Sequence, residues 1–487
     1  MPTQKKENYQ DIQDKSSKGI KWVGIAEIFI RFFQYGTTIV LARILTPEDF
    51  GVIGIALIFT QLAYVLFDFG FSSALIQKKD IRETHYSTTF LIYLVSAALY
   101  IILVLLFAPA IAAFFELPVL GQILQTLTII FLLYALNAMP RIRLQKEMRF
   151  KRFGSLQIIS VFFYGVVTIG CALYGFGLWS FVCGIIAEQL VLTLLLNLFA
   201  WWKPHFTFDK AAFKELMNFG SNVLGTRVIA YLNANAPNFI IGKVLGASAL
   251  GYYSIAYQLV EFPVQRISKN VLRVMFPAFS KLQDNHQDFR NLYGTTVYHL
   301  LLILMPVFVG LILIAPFLVE LLYGEKWLPA VLPLQLLSAA GFFRSIWATT
   351  SVVFLSKGKP QIELKINMTF SLILIPVLIF ASAFGLVEIA ASVSLVTWIF
   401  LLIAQYKALN LIEMKWYNLI KAYFLPAIGV TSFTAIILVF NHFGLNGFTK
   451  LNQLIITIAT SMLVYILLIL KFDRNIVKKL VKFIGAR

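Results

Sequence analysis

Residues 42–56 read ARILTPEDFGVIGIA and residues 242–256 read GKVLGASALGYYSIA. At this offset of 200 residues Arg43 meets Lys243, Leu45 meets Leu245, Gly51 meets Gly251, Ile55 meets Ile255 and Ala56 meets Ala256. The match runs through a polar turn, so it is read as an internal duplication rather than as two apolar stretches of similar composition. Outward from the two copies, apolar runs of about 20 residues, the length that crosses a bilayer as a helix, recur along the chain. They fall at 20–43, 50–74, 86–108, 119–139, 155–174, 177–200, 218–243, 250–274, 297–320, 331–355, 362–384, 387–407, 421–441 and 451–471. Six spans separate the copies, an even number, so both keep the same orientation and are parallel repeats about an axis along the membrane normal. The first, seventh and eighth spans are interrupted by charges; their equivalent places in the two copies argue for including them.

The expectation is an all-α integral membrane protein of about 14 transmembrane helices. Its parts are a cytoplasmic tail at 1–19, an N-lobe at 20–200, a cytoplasmic linker at 201–217, a C-lobe at 218–407, two further spans at 421–471 and a cytoplasmic tail at 472–487. Composition agrees: 59% of the 487 residues are hydrophobic and 13% charged, against roughly 25% charged in soluble domains. Fourteen spans leave no room for a soluble catalytic domain. The net charge of +18 does not indicate nucleic-acid binding, because the basic residues are scattered between apolar runs instead of gathering on one surface. Cys171 and Cys183 lie inside apolar runs and read as small hydrophobes, not as a disulfide framework.

Charge asymmetry sets the orientation. Lys78, Lys79 and Arg82, then the run Arg141, Arg143, Lys146, Arg149, Lys151 and Arg152, then Lys203, Lys210 and Lys214 all fall on one side, with both tails. Only Arg43, Lys243, Lys326 and Lys450 fall in connections on the other. Both termini are therefore expected in the cytoplasm, with the 109–118 and 441–450 connections outside and the 141–152 connection inside.

The repeat, the start near KGIKW (18–22), the segment LARILTPEDFG (41–51) and the loop VLGASALGYYSIAYQL (244–259) give the chain a resemblance to a known family. It is similar along essentially its whole length to the Wzx-type polysaccharide flippases of the multidrug/oligosaccharidyl-lipid/polysaccharide (MOP) exporter superfamily, in the colanic and teichuronic acid exporter branch. The resemblance implies a multi-pass protein of the bacterial inner membrane. It also implies movement of an undecaprenyl-pyrophosphate-linked oligosaccharide from the cytoplasmic to the periplasmic leaflet, with polysaccharide assembly proteins as possible partners and no cofactor.

Ionisable groups inside spans cost about 2.5–3.5 kcal/mol or more at the bilayer centre unless solvated or paired, so they mark an interior. Arg31, Arg227 and Arg344 are the expected substrate contacts, since an arginine fork holds phosphate oxygens bidentately and keeps its charge when desolvated. Tyr231, Asn235 and Asn238 recur with Arg227 at helical spacing beside Pro237 and extend that polar stripe. In span 8, Glu261, Gln265, Ser268 and Lys269 make another such face beside a kink expected at Pro263. Arg266 and Lys269 are further expected substrate contacts, with snorkelling to the cytoplasmic headgroups as the competing reading, and snorkelling is the favoured reading for Arg273. Asp68, Glu188, Glu261 and Glu27 are candidates for coupling to H⁺ or Na⁺, with Glu27 also placed one turn before Arg31 and able to pair with it. The repeat sets Arg227 opposite Glu27. The competing reading is that these charges pair among themselves to fix helix packing.

The residues Thr46–Asp49 and Gly246–Ala249 are expected to meet as a periplasmic gate. No GxxxxGK[ST] loop, HExxH or metal-spaced Cys/His cluster occurs, so no metal site is expected, and His85, His205, His286, His299 and His442 are dispersed. Two rival functions remain: a small-molecule antiporter of the same superfamily, disfavoured by arginines that would repel cationic drugs, and a polysaccharide polymerase or ligase, disfavoured by the short outside connections.

Overall fold

The computed structural model describes residues 9–78, 80–443 and 450–472, the side chains of 9–21, 222, 266, 269, 270, 273, 274 and 440–450 excepted. Helix follows helix, and the described residues contain no strand. The α-helices are α1 Tyr9–Ile44, α2 Pro47–Phe67, α3 Phe71–Gln77, α4 Glu83–Phe115, α5 Pro118–Leu127, α6 Ile129–Lys146, α7 Phe150–Leu173, α8 Trp179–Phe199 and α9 Lys210–Val244. They continue as α10 Gly246–Pro263, α11 Lys269–Lys281, α12 His286–Tyr323, α13 Val331–Ser356, α14 Pro360–Ser382, α15 Leu386–Leu411, α16 Trp416–Phe443 and α17 Lys450–Phe472. Twelve helices or consecutive helical stretches among the described residues are long and apolar enough to cross a membrane. The expected spans 7 and 8, which correspond to α9 and to α10 with α11, are too polar to qualify by composition. The chain is a multi-pass membrane protein.

Three sequence boundaries require correction. The connection expected at 109–118 is helical as far as Phe115, because Pro109 is accommodated inside α4 and the chain turns only at Glu116 (φ 59°) before Pro118 opens α5. The connection expected at 141–152 shrinks to Glu147, Met148 and Arg149, since α6 runs on through Arg141 and Arg143 to Lys146. Span 2 is broken: α2 stops at Phe67, Phe69 and Gly70 take positive φ (46° and 74°), and the short α3 follows. The kink expected at Pro263 is present, where α10 passes into a π-helical turn, Val264–Ser268, before α11. The 441–450 connection lies largely outside the described residues.

The described chain forms two compact units, 1–251 and 252–487. In the first, α7 packs on α1 and α8, α6 on α8 and α4, and α9 on α2, α3 and α4. That last packing groups α9 with the first unit, although the repeat makes it the opening helix of the second copy. An aromatic core of Phe67, Phe71, Tyr93, Phe131, Tyr134 and Trp202 sits among α2, α3, α4 and α6. In the second unit α12 and α15 flank α13, and α16 and α17 pack beside α12 around Phe433 and Tyr465.

The repeat loops are built by local chemistry. Thr46 caps α2: its hydroxyl accepts from the Asp49 amide (3.2 Å), while Asp49 accepts from the Thr46 amide (2.8 Å), with Pro47 at the first turn. The two loops touch each other. A Cβ on Gly51 would lie 1.7 Å from the Ala247 carbonyl oxygen, and a Cβ on Gly251 would lie 1.9 Å from that of Pro47. Only glycine permits such an approach.

Candidate functional site: carboxylate-paired arginines at membrane depth

The break after α2 exposes a polar centre. Gly70 and Gly220 bring backbones together, a Cβ on either falling within 2.5 Å of a carbonyl oxygen across the contact. Two turns further along α9, this proximity lets Arg227 reach back to the end of α2. Arg227 Nη1 donates to Asp68 Oδ2 at 2.6 Å and its Nη2 donates to Ser73 Oγ at 2.9 Å. Asp68, with its side chain only 4% exposed, also accepts from Tyr93 Oη at 2.7 Å and from the Ser72 hydroxyl. These donors satisfy the hydrogen-bonding capacity of a carboxylate taken out of solvent. Tyr93, Ser72 and Ser73 were not found from the sequence; the two serines in GFSSAL (70–75) carry no periodic signal, and Tyr93 lies inside a mostly apolar run. Along α9, Tyr231 donates to the Ile58 carbonyl and Asn235 Nδ2 donates to the Tyr231 carbonyl at 3.1 Å. Asn238 is half-buried one turn later.

In α1, Arg31 Nε donates to Glu27 Oε1 at 3.3 Å and Nη1 donates to Gln34 Oε1 at 3.1 Å. Glu188 of α8 is half-buried, one turn after Gly184, whose face packs on Thr168 and Tyr164 of α7. No described residue forms an ion pair or hydrogen bond with it. Within the second unit, Arg344 Nη2 of α13 donates to Glu261 Oε2 of α10 at 3.0 Å, and Nη1 donates to Tyr257 Oη at 3.1 Å. Gln265 holds the other Glu261 oxygen, and the Tyr257 ring stacks on Tyr253 with centroids 6.0 Å apart. The side chains of Arg266, Lys269 and Arg273 lie outside the described residues.

Arg31, Arg227 and Arg344, expected as substrate contacts, thus each hold a carboxylate expected as a coupling site. Arg227 is paired with Asp68, and Glu27, its counterpart in the repeat, with Arg31. Among the described residues no group of three His, Cys, Asp or Glu is placed to hold a metal ion.

The twelve apolar helical stretches among the described residues, with Arg227–Asp68 and Arg344–Glu261 linking different helices and Arg31–Glu27 lying along one, define a polytopic membrane protein with charged groups at membrane depth. The chain belongs to the family described as "Polysaccharide biosynthesis protein", whose model matches residues 40–332. It is 27% identical over 466 residues to the teichuronic acid biosynthesis protein TuaB of Bacillus subtilis, covering 93% of this chain and 95% of that one. It is 27% identical over 370 residues to the lipopolysaccharide biosynthesis protein WzxC of Escherichia coli (76% and 75% covered). It is 24% identical over 483 residues to the succinoglycan biosynthesis transport protein ExoT of Rhizobium meliloti (97% and 96%). Among solved structures, the fold is similar to that of the lipid II flippase MurJ in an inward closed conformation, at TM-score 0.76, 18% identity and 94% and 100% coverage. It is also similar to an inward-facing multidrug transporter of the MOP superfamily, at TM-score 0.60, 15% identity and 81% and 98% coverage.

Proposed function

We propose that the protein is a flippase that carries an undecaprenyl-pyrophosphate-linked oligosaccharide from the cytoplasmic to the outer leaflet of the bacterial plasma membrane by alternating access, both termini facing the cytoplasm. The observation that carries this reading is the likeness along 93% of the chain to a teichuronic acid biosynthesis protein, joined by 97% coverage against a succinoglycan transport protein. Arg31, Arg227 and Arg344 are the proposed phosphate and sugar contacts, with Tyr231, Asn235 and Asn238, and Arg266 and Lys269, as further polar contacts.

The pairing supplies a mechanism. A phosphate that binds one of these arginines bidentately competes with the carboxylate already there, which couples substrate entry to the release of Asp68 or Glu261. An arginine holding α9 to the end of α2 in the empty protein then becomes a reporter of occupancy. Glu188 is the proposed coupling acid: it can gain or lose a proton without breaking an ion pair, whereas Asp68, Glu261 and Glu27 cannot. The transporter role needs no catalytic residue and no cofactor. Accumulation of lipid-linked sugar in a strain lacking the gene, relieved by the wild-type gene and not by Arg227→Ala, is the supporting result. Loss of tolerance to cationic drugs without sugar accumulation would instead establish the small-molecule antiporter.

A further inference from the structure

Arg141 was expected in a cytoplasmic connection, yet α6 carries it back into the first unit. Its Nη1 donates to Tyr64 Oη of α2 at 2.7 Å and its Nη2 donates to the Tyr134 hydroxyl of α6. The guanidinium lies over the Tyr134 ring, 4.3 Å from its centroid, and the Tyr64 and Tyr134 rings meet edge to face at 4.2 Å. Arg31, Arg227 and Arg344 each have a carboxylate; among the described residues none pairs with Arg141. Its place is five residues before the end of α6, about 7 Å along the axis at 1.5 Å per residue. Lys146 at that end is anchored on the Leu75 carbonyl at 2.9 Å, so the arginine lies near the depth of the cytoplasmic headgroups.

This cluster has a definite chemical bias. Each tyrosine oxygen accepts from the arginine, and the Tyr64 and Tyr134 hydroxyls also bond each other, which leaves one hydroxyl proton to donate elsewhere. The guanidinium retains further N–H groups, and the nearest carboxylate acting on Tyr134, that of Asp68, is held by Arg227. Two hydroxyls and a stacked cation in a low dielectric carry one uncompensated positive charge and several convergent donors, the complement of an anion with several oxygens. Holding both Nη atoms in place before the ligand arrives removes much of the ordering cost of binding. Tyr64 is 37% exposed, which leaves the cluster open on that side.

We propose that Arg141, Tyr64 and Tyr134 form a phosphate-ester site at the cytoplasmic end of the first unit, which receives the diphosphate of the lipid carrier before it reaches the carboxylate-paired arginines. The carrier's identity rests on the flippase reading; the phosphate chemistry does not. The test uses the purified full chain and two probes, undecaprenyl diphosphate and phosphatidylglycerol, with binding followed by native mass spectrometry and folding by thermal unfolding. Arg141→Gln lowers affinity for the diphosphate at least tenfold, Arg141→Lys less, and Tyr64→Phe about threefold, all with unfolding temperatures near wild type. If Arg141→Gln does not fold, Arg141→Lys and Tyr64→Phe carry the comparison. An equal loss for phosphatidylglycerol assigns the site to bulk phospholipid headgroups, and a loss confined to the diphosphate assigns it to the carrier. Wild-type affinity of folded variants for both probes overturns the site while leaving the flippase reading intact. A wild-type chain that binds only phosphatidylglycerol, through Arg141, overturns the flippase reading and keeps the site.

Discussion

Adding one methyl group to Gly51 should open the contact between the two repeat loops. The added Cβ would sit 1.7 Å from the Ala247 carbonyl oxygen, and a methyl on Gly251 would sit 1.9 Å from that of Pro47. Both obstacles are backbone, so neither can rotate away. Restoring a 3.0 Å contact requires the loops to part by at least about 1.3 Å for Gly51→Ala. Forcing a group into a packed site costs about 1–3 kcal/mol, which is a 5- to 150-fold shift away from the state in which the loops meet. The assay is cross-linking of a Pro47→Cys, Ala247→Cys pair by a short bifunctional thiol reagent in membranes. Pro47 Cα lies 3.2 Å from the Cβ position of Gly251, and Ala247 is one turn before Gly251 on α10, so the unsubstituted background cross-links readily. In the Gly51→Ala background the yield at fixed time should drop at least fivefold, with both cysteines still reacting with a small thiol reagent. An unchanged yield would refute the close approach and the gate built on it.

Arg227→Ala should leave Asp68 buried without its cation. Loss of one member of a buried pair costs about 3–5 kcal/mol, but Arg227 is 41% exposed and solvent screening reduces the figure to about 1–3 kcal/mol; Asp68→Asn together with Arg227→Gln should recover most of the lost unfolding temperature, and no recovery would mean the two do not interact. At the α9 N-terminus, the Lys78 ammonium and the His85 ring hold the Glu215 carboxyl down to about 2. Its stabilising contribution is therefore complete above its ordinary value near 4.5 and is lost only as pH falls toward 2. Lys78→Met should shrink that pH-dependent loss, because the carboxyl then titrates closer to its unfolded value with only His85 holding it, read by amide exchange over residues 210–217 between pH 5 and 2; an identical pH profile would remove the ion pair from the account. For topology, Glu116→Cys should label from outside the cell and Arg149→Cys should not; the reverse pattern would invert the orientation.

The helices and the duplication were legible because apolar runs and a repeated polar turn are one-dimensional signals. The Glu27–Arg31 pair was legible for the same reason, being one helical turn apart. Asp68 with Arg227 and Glu261 with Arg344 were each singled out singly, but their pairing depends on which helix faces which, and spacing along one helix does not encode that. The Gly70–Gly220 contact that brings α9 to the end of α2 is likewise a meeting of distant backbones. Arg141 was misplaced because a run of basic residues from 141 to 152 points to a side of the membrane without marking where the helix ends.

The two loop contacts have a symmetry of their own. Shifting the Gly51–Ala247 contact by the repeat offset turns it into the Gly251–Pro47 contact, so each copy presents the same glycine to the same carbonyl of the other. That is the isologous geometry of a two-fold homodimer held within one polypeptide. In a dimer every substitution at such a surface occurs twice; fusion halves that penalty and lets the copies diverge one side at a time. The capped, charged TPED of residues 46–49 facing the uncharged GASA of 246–249 is the trace of that freedom.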